Sequence, residues 1–408
     1  MRGRGGLVSL RSMLLALTLA CSNPAPPPVR RNAVVILVDT LREDALRKAQ
    51  MPNVNGIGQR GDLAFGWSSG TWTVPSVIAL FTGRPVGSHG WDLPTGRMGK
   101  YPQLPATPTL AEVLDGAGFN TVGLYANPYL AEELGFSRGF DVWKRVGDRG
   151  MPKEFARAIA ETWKPEGQNF AYLHLIGPHS PLRPSDAAKA RFKLEDHWFA
   201  DPKHPLEVGA PQRKDKPGID VAYRDAYYAV CEDVDGIVGE LLSTLGPYRD
   251  DTLILLTADH GELLGEHALF GHGTQVWEPL TRVPMLAENA GELPERMGTA
   301  SIAAFVTRGV GVAHAWPTAV EVPTLVSQRE GKLAITEDGR TKLIIDGGER
   351  LYDLGVDPGE LSPREDAAVA KALRDGYDAW RPPALTVGEE ATLDAPTLEK
   401  VRELGYVE

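Results

Sequence analysis

Two runs of continuous apolar residues, each stopping at an aspartate, constrain this fold most. One is N-A-V-V-I-L-V-D over residues 32–39. The other is L-I-L-L at 253–256, flanked by Thr252 and Thr257 and ending at Asp259-His260-Gly261. Unbroken apolar runs with β-branched residues, without polar alternation, mark strands buried on both faces, as in parallel sheets. Further strands are predicted at 121–125 and 169–176. Helices are predicted at 108–116, with Thr107 as N-cap and Pro108 at N1, and at 221–245. The stretch G-T-W-T-V-P-S-V-I-A-L-F-T-G-R (70–84) reads as a loop entering a helix, with Thr73 as N-cap, Pro75 in the first turn and Gly83 at the end. Strands alternating with helices argue for an α/β fold, a mostly parallel sheet with helices on both faces. After Pro284 the pattern changes. Short antiparallel strands are expected at 332–335 and 342–345 around Asp338-Gly339, a further strand at 350–354, and helices at 366–380 and 398–404. These form a small C-terminal antiparallel sheet-and-helix subdomain.

The chain divides into 1–21, 22–31, 32–290 and 291–408. Residues 1–21 carry Arg2, Arg4 and Arg11, then an apolar run ending in Ala20-Cys21. That run is too short to span a bilayer comfortably. The segment is similar to a bacterial lipoprotein signal, which implies a lipid on Cys21 and a periplasmic or cell-surface location. An ordinary secretory signal remains the alternative. Ser22–Arg31 is a proline-rich spacer. Export leaves Cys231 without a partner, so no internal disulfide is expected. Residues 181–217, rich in charge and proline, are a candidate lid or substrate loop.

Lys+Arg 43 against Asp+Glu 54 gives a net charge of −11. Nucleic acid is therefore not expected as a partner. An anionic substrate would need local attraction from a metal ion, a helix N-terminus or single basic groups. In open α/β sheets, ligands bind at the carboxyl ends of strands. Asp259, His260 and the adjacent glycine are suited to holding a metal there.

Several stretches, in order, resemble the sulfatase branch of the alkaline phosphatase superfamily: V-V-I-L-V-D-T-L-R-E-D-A-L (34–46), T-V-P-S-V-I-A-L-F-T-G-R (73–84), T-L-A-E-V-L-D-G-A-G-F-N-T-V-G-L-Y-A-N (109–127), Y-L-H-L-I-G-P-H-S-P (172–181), T-A-D-H-G-E-L-L-G-E-H (257–267), R-T-K-L-I (340–344) and L-Y-D-L-G-V-D-P-G-E (351–360). The resemblance implies one divalent cation (Ca²⁺, Mn²⁺ or Zn²⁺) held by Asp39, Asp259 and His260, with Thr73 as nucleophile touching the same ion. It implies a substrate-binding or proton-donating role for His179. His272 lies where many relatives place a substrate-contacting lysine. Tyr125 and Asn127 lie near the family's Lys and His and are substrate-binding candidates. Arg84 is another, although an arginine at a helix end is more often solvated. Glu262 and His267 read as supporting residues, and His174 as a satisfied core histidine.

The departures from the family pattern bear on chemistry. Sulfatases convert a Cys or Ser at the nucleophile position to formylglycine, which Thr73 cannot become. Relatives with a threonine nucleophile act on phosphorus esters. Val77 replaces the usual arginine, and Gly123-Leu124-Tyr125-Ala126-Asn127 replaces Gly-Lys-x-His. The expectation is a metal-dependent hydrolase of phosphate or sulfate esters, phosphoric favoured. A phospho-group transferase acting on an envelope lipid or glycan, and a degenerate non-catalytic surface lipoprotein, are the alternatives.

Overall fold

A computed structural model describes residues 29–60, 63–92, 100–194, 218–290, 293–314, 316, 325–386 and 388–404. Cys21, the segment 1–28 and the stretch 195–217 lie outside the described residues. Among the described residues, no helix is long and apolar enough to cross a membrane.

Three fully buried strands form the centre: Asn32–Val38, Asn169–Leu175 and Thr252–Thr257. The first runs parallel to both others, with Leu37 level with His174 on one side and Thr257 on the other. The whole sheet has eight strands. Its order from one edge is Arg296–Gly298, Leu63–Trp67, Arg282–Glu288, Thr252–Thr257, Asn32–Val38, Asn169–Leu175, Asn120–Tyr125, Val142–Arg145. Arg282–Glu288 runs antiparallel to both neighbours. The sequence reading missed it because Pro284, which ordinarily argues against an inner strand, lies inside the run.

Alternation along the central strands sorts their side chains into two cores. Ala33, Val35, Leu37, Phe170, Tyr172, Leu253 and Leu255 face one way, against Val74, Val77 and Phe81 of the helix Thr73–Thr82. Val34, Ile36, Val38, Ala171, Leu173, Ile254 and Leu256 face the other, against Tyr227, Val234 and Val238 of the long helix Ile219–Leu245. Both faces are thus covered, which is why these strands read as unbroken apolar runs. The helix expected at 108–116 begins later, at Leu110–Gly116. Its cap is Thr109, not Thr107, because Glu112 completes a reciprocal capping box with Thr109. Part of the expected lid is regular, as Asp186–Phe192 is helical.

The C-terminal sheet has four antiparallel strands, Leu325–Arg329, Lys332–Thr336, Thr341–Ile345 and Glu349–Asp353. One face (Ile335, Leu343, Leu351) packs on Ala370, Leu373 and Tyr377 of the helix Ala367–Trp380. The other (Ala334, Ile344, Tyr352) packs on Leu263, Val276, Trp277 and Leu280, just beyond the Asp-His-Gly segment. Lys342 crosses the same interface. Its ammonium is buried between Glu278 (3.1 Å) and Glu360 (2.8 Å). Removing one partner of such a pair leaves uncompensated charge. Lys342→Ala is expected to cost about 3–5 kcal/mol, read as a lowered midpoint in urea denaturation. An unchanged midpoint would show that the two carboxylates find other compensation.

Candidate active site

The register of the central strands sets the site. Leu37 and Thr257 are paired, so Asp39 and Asp259 leave adjacent strands side by side. Both are fully buried. Asp259 Oδ1 accepts from the backbone N–H of Thr40 (3.2 Å) and of His260 (2.9 Å). Asn127, just past the end of Asn120–Tyr125, donates through Nδ2 to Asp39 Oδ2 (2.8 Å) and to Thr73 Oγ1 (3.1 Å). Thr73 Oγ1 in turn donates to Asp39 Oδ2 at 3.3 Å. Trp72 rather than Thr73 is the N-cap of this helix, and Thr73 is its first residue. The expected cap is therefore corrected: the hydroxyl is turned toward Asp39.

The surroundings hold these groups in place. All ten residues of the helix Thr73–Thr82 are buried. His89 Nε2 lies 3.1 Å from the Pro75 carbonyl. Gly261 donates its N–H to the Leu280 carbonyl at 2.8 Å. A Cβ at this glycine would lie 2.0 Å from the Pro279 carbonyl oxygen, so no larger residue fits after Asp259-His260.

Four histidines cluster at the carboxylates, two of them directly against Asp39. His260 Nε2 lies 3.6 Å from Asp39 Oδ1 and 3.5 Å from Asp259 Oδ2. The His272 ring lies 4.4 Å from that of His260 and 4.8 Å from that of His179, and its Nδ1 is 3.0 Å from Glu262 Oε2. His174 was read as a satisfied core histidine, and that is corrected. It is fully buried, with neither ring nitrogen hydrogen-bonded among the described residues. Its Nε2 is 3.9 Å from Asp39 Oδ2. The signal was present in the sequence as strand parity, since Phe170, Tyr172 and His174 share one face with Asp39 and the Thr73 helix.

Of the other candidates, Tyr125 is level with His174 on the neighbouring strand. Tyr125 stacks on Trp143, with ring centroids 4.6 Å apart, and burial pushes its phenol up to about 12. Arg84 follows Gly83, the left-handed residue that ends the helix opening with Thr73. Ten helical residues put it about 15 Å from that start, so it does not join the cluster. His267 stacks on Trp277 at 4.0 Å.

Burial, and then the neighbouring Asp259 charge, hold the Asp39 carboxyl well above the usual carboxylate range. Burial raises Asp259 to about 7 despite its two backbone donors. Burial and the adjacent His272 hold His260 and His179 well below the usual imidazole range. With protein groups alone, the two carboxylates repel. Asp39 Oδ1, Asp259 Oδ2 and His260 Nε2 each lack a hydrogen-bond partner among the described residues. Buried polar atoms are rarely left so. Two carboxylate oxygens and an imidazole nitrogen facing one another, with a threonine hydroxyl on Asp39, are a donor set that fits a divalent cation. Asp39, His174 and Asp259 form a second such grouping, with ligand atoms within 4.8 Å of one another.

The family described as Sulfatase matches residues 31–308, about two thirds of the chain. Arylsulfatase K of Xenopus laevis is 24% identical over 337 residues, covering 67% of this chain and 60% of that protein. The chain thus spans about 60% of the length of this curated relative. A phosphonate monoester hydrolase of Agrobacterium radiobacter superposes with a TM-score of 0.67 at 19% identity, covering 86% of this chain and 94% of that one. A 2-O GAG sulfatase superposes at 0.66 with 16% identity, covering 90% and 96%. The order of the motifs, the buried Asp39, Asp259 and His260, and the match over residues 31–308 lead to one assignment: the chain belongs to the sulfatase family.

Proposed function

We propose that this protein is a hydrolase of phosphoric or sulfuric esters, with phosphoric favoured, and that Thr73 is its nucleophile. One observation carries the reading: Thr73 Oγ1, Asn127 Nδ2 and Asp39 Oδ2 form a closed hydrogen-bonded triangle beside Asp259 and His260. Asp39, Asp259 and His260 would hold the cation, with the Thr73 hydroxyl next to it. A divalent cation bound there stabilises the threonine alkoxide and the charge on the ester oxygens.

The chain's own groups supply the rest. Thr73 Oγ1 attacks phosphorus in line. The Thr73 Oγ1–P bond forms as the bond to the leaving alcohol breaks, and the Thr73 proton passes to Asp39 Oδ2, which accepts its hydrogen bond. Asn127 orients the nucleophile and donates to it. The His179–His272 pair gives the leaving oxygen its proton, and Glu262 fixes the His272 ring through Nδ1. Water then attacks phosphorus and gives a proton back to the His179–His272 pair, while the Thr73 Oγ1–P bond breaks and Thr73 recovers its proton from Asp39. Thr73 also stands at the start of a ten-residue helix, where backbone N–H groups favour an anion. Threonine lacks the formylglycine route for expelling sulfate, and this favours phosphorus over sulfur. The convergence of all four expected residues supports catalysis over a degenerate binding role. The N-terminal segment ending at Cys21 supports placing the activity at an envelope membrane outside the cytoplasm.

Thr73→Ala is expected to lower kcat on nitrophenyl phosphate at least about a thousandfold. Mass spectrometry of quenched wild type should find the transferred group on Thr73. Full activity in the variant would remove Thr73 from the mechanism. The buried carboxylates predict a second behaviour. An acid whose folded pKa is raised destabilises the fold as pH climbs from its unfolded value toward its folded one. For Asp259 that window runs from 3.8 to about 7. Chelator-treated wild type should therefore lose melting temperature across it. Asp39→Asn should melt higher than wild type in chelator at pH 8 and lower than wild type with excess divalent cation. A variant less stable in both conditions would contradict the repulsion.

A further inference from the structure

The metal-site reading proposed above needs only one histidine, His260. The chain places a second imidazole at the same carboxylates. His174 lies in the strand Asn169–Leu175, level with Leu37 and Tyr125 of its neighbours. Parity turns it to the face that carries Asp39 and the Thr73 helix. It is fully buried, and neither ring nitrogen has a hydrogen-bond partner among the described residues. A neutral imidazole has one N–H and one lone pair, and a buried one without partners for either is unusual. Its Nε2 is 3.9 Å from Asp39 Oδ2, and ligand atoms of Asp39, His174 and Asp259 lie within 4.8 Å of one another.

We propose that His174 is a fourth protein donor to the cation held by Asp39, Asp259 and His260, and that this two-carboxylate, two-imidazole set selects a borderline transition-metal ion such as Zn²⁺ over Ca²⁺. Two donors bound to one zinc at about 2.0–2.2 Å each are at most about 4.4 Å apart. The separations of 3.5 and 3.6 Å for His260 and 3.9 Å for His174 meet that limit. Calcium takes six to eight oxygen ligands, and an imidazole is a poor substitute for one. Imidazole nitrogen suits zinc, and each such donor moves the site away from the hard ions. His174 is reached through strand alternation alone, so the ion's identity is written into a position that reads as core.

The test uses the full chain, stripped of metal and reloaded with Zn²⁺ or Ca²⁺. X-ray absorption of the zinc form of wild type should show two imidazoles per zinc. One imidazole would overturn the proposal while leaving the Asp39–Asp259–His260 site intact. His174→Asn should weaken zinc affinity at least about tenfold with calcium affinity unchanged. Equal weakening of both ions would assign His174 a structural role and overturn the proposal. Asp259→Ala is the control for the underlying reading. Unchanged metal content in that variant would reject the site itself, and His174 with it.

Discussion

Two like-charged carboxylates, buried side by side at the ends of adjacent parallel strands, are the constraint on which the rest depends. Asp39 and Asp259 are fully sequestered from solvent, and each is held above the ordinary carboxylate range. Repulsion of this kind persists only where the surroundings determine the geometry more strongly than the charges oppose it. The surroundings here are the register of three buried strands, two backbone N–H groups on Asp259, and Asn127 on Asp39. A divalent cation inverts the local logic, since the same pair becomes the attractive element.

The proposed nucleophile, Thr73, obeys the same constraint. A threonine opening a helix ordinarily turns its hydroxyl back to cap exposed backbone N–H groups. Thr73 turns instead to Asp39 and Asn127, and the cap position passes to Trp72. The helix itself is buried along its whole length, so this orientation does not depend on a mobile loop.

Much of the site was legible because buried strands advertise themselves. An apolar run that stops at an acid announces both a strand and its carboxyl end, and Asp39 and Asp259 were found that way. His260 was a candidate from its place beside Asp259, whereas the meeting of Thr73 with Asp39 came from the resemblance, since no local pattern brings positions 39 and 73 together. His174 was misread because a single histidine in an apolar strand looks like core. Only counting alternate residues from Phe170 and Tyr172, with the register to Leu37, places it on the Asp39 face. Arg84 failed for the opposite reason. It is close to Thr73 in sequence but separated from it by the length of a helix. Arg282–Glu288 was hidden by Pro284, which interrupts the run in sequence but still pairs within the sheet.

The overall charge makes the local arrangement decisive. A chain carrying −11 repels an anionic ester at long range. Salt confines that field to roughly 8 Å at physiological ionic strength, so an ester that has entered the site responds mainly to nearby groups. Those are four imidazoles, a helix N-terminus, Glu262 on His272, and the Asp39 and Asp259 carboxylates that a bound cation would neutralise. Four other acids are paired with cations of their own: Asp44 and Glu266 on Arg42, Glu278 and Glu360 on Lys342. On the proposed reading, ester binding therefore rests on how completely the central carboxylates are compensated, so the donors at Asp39 and Asp259 set substrate attraction as well as the metal site.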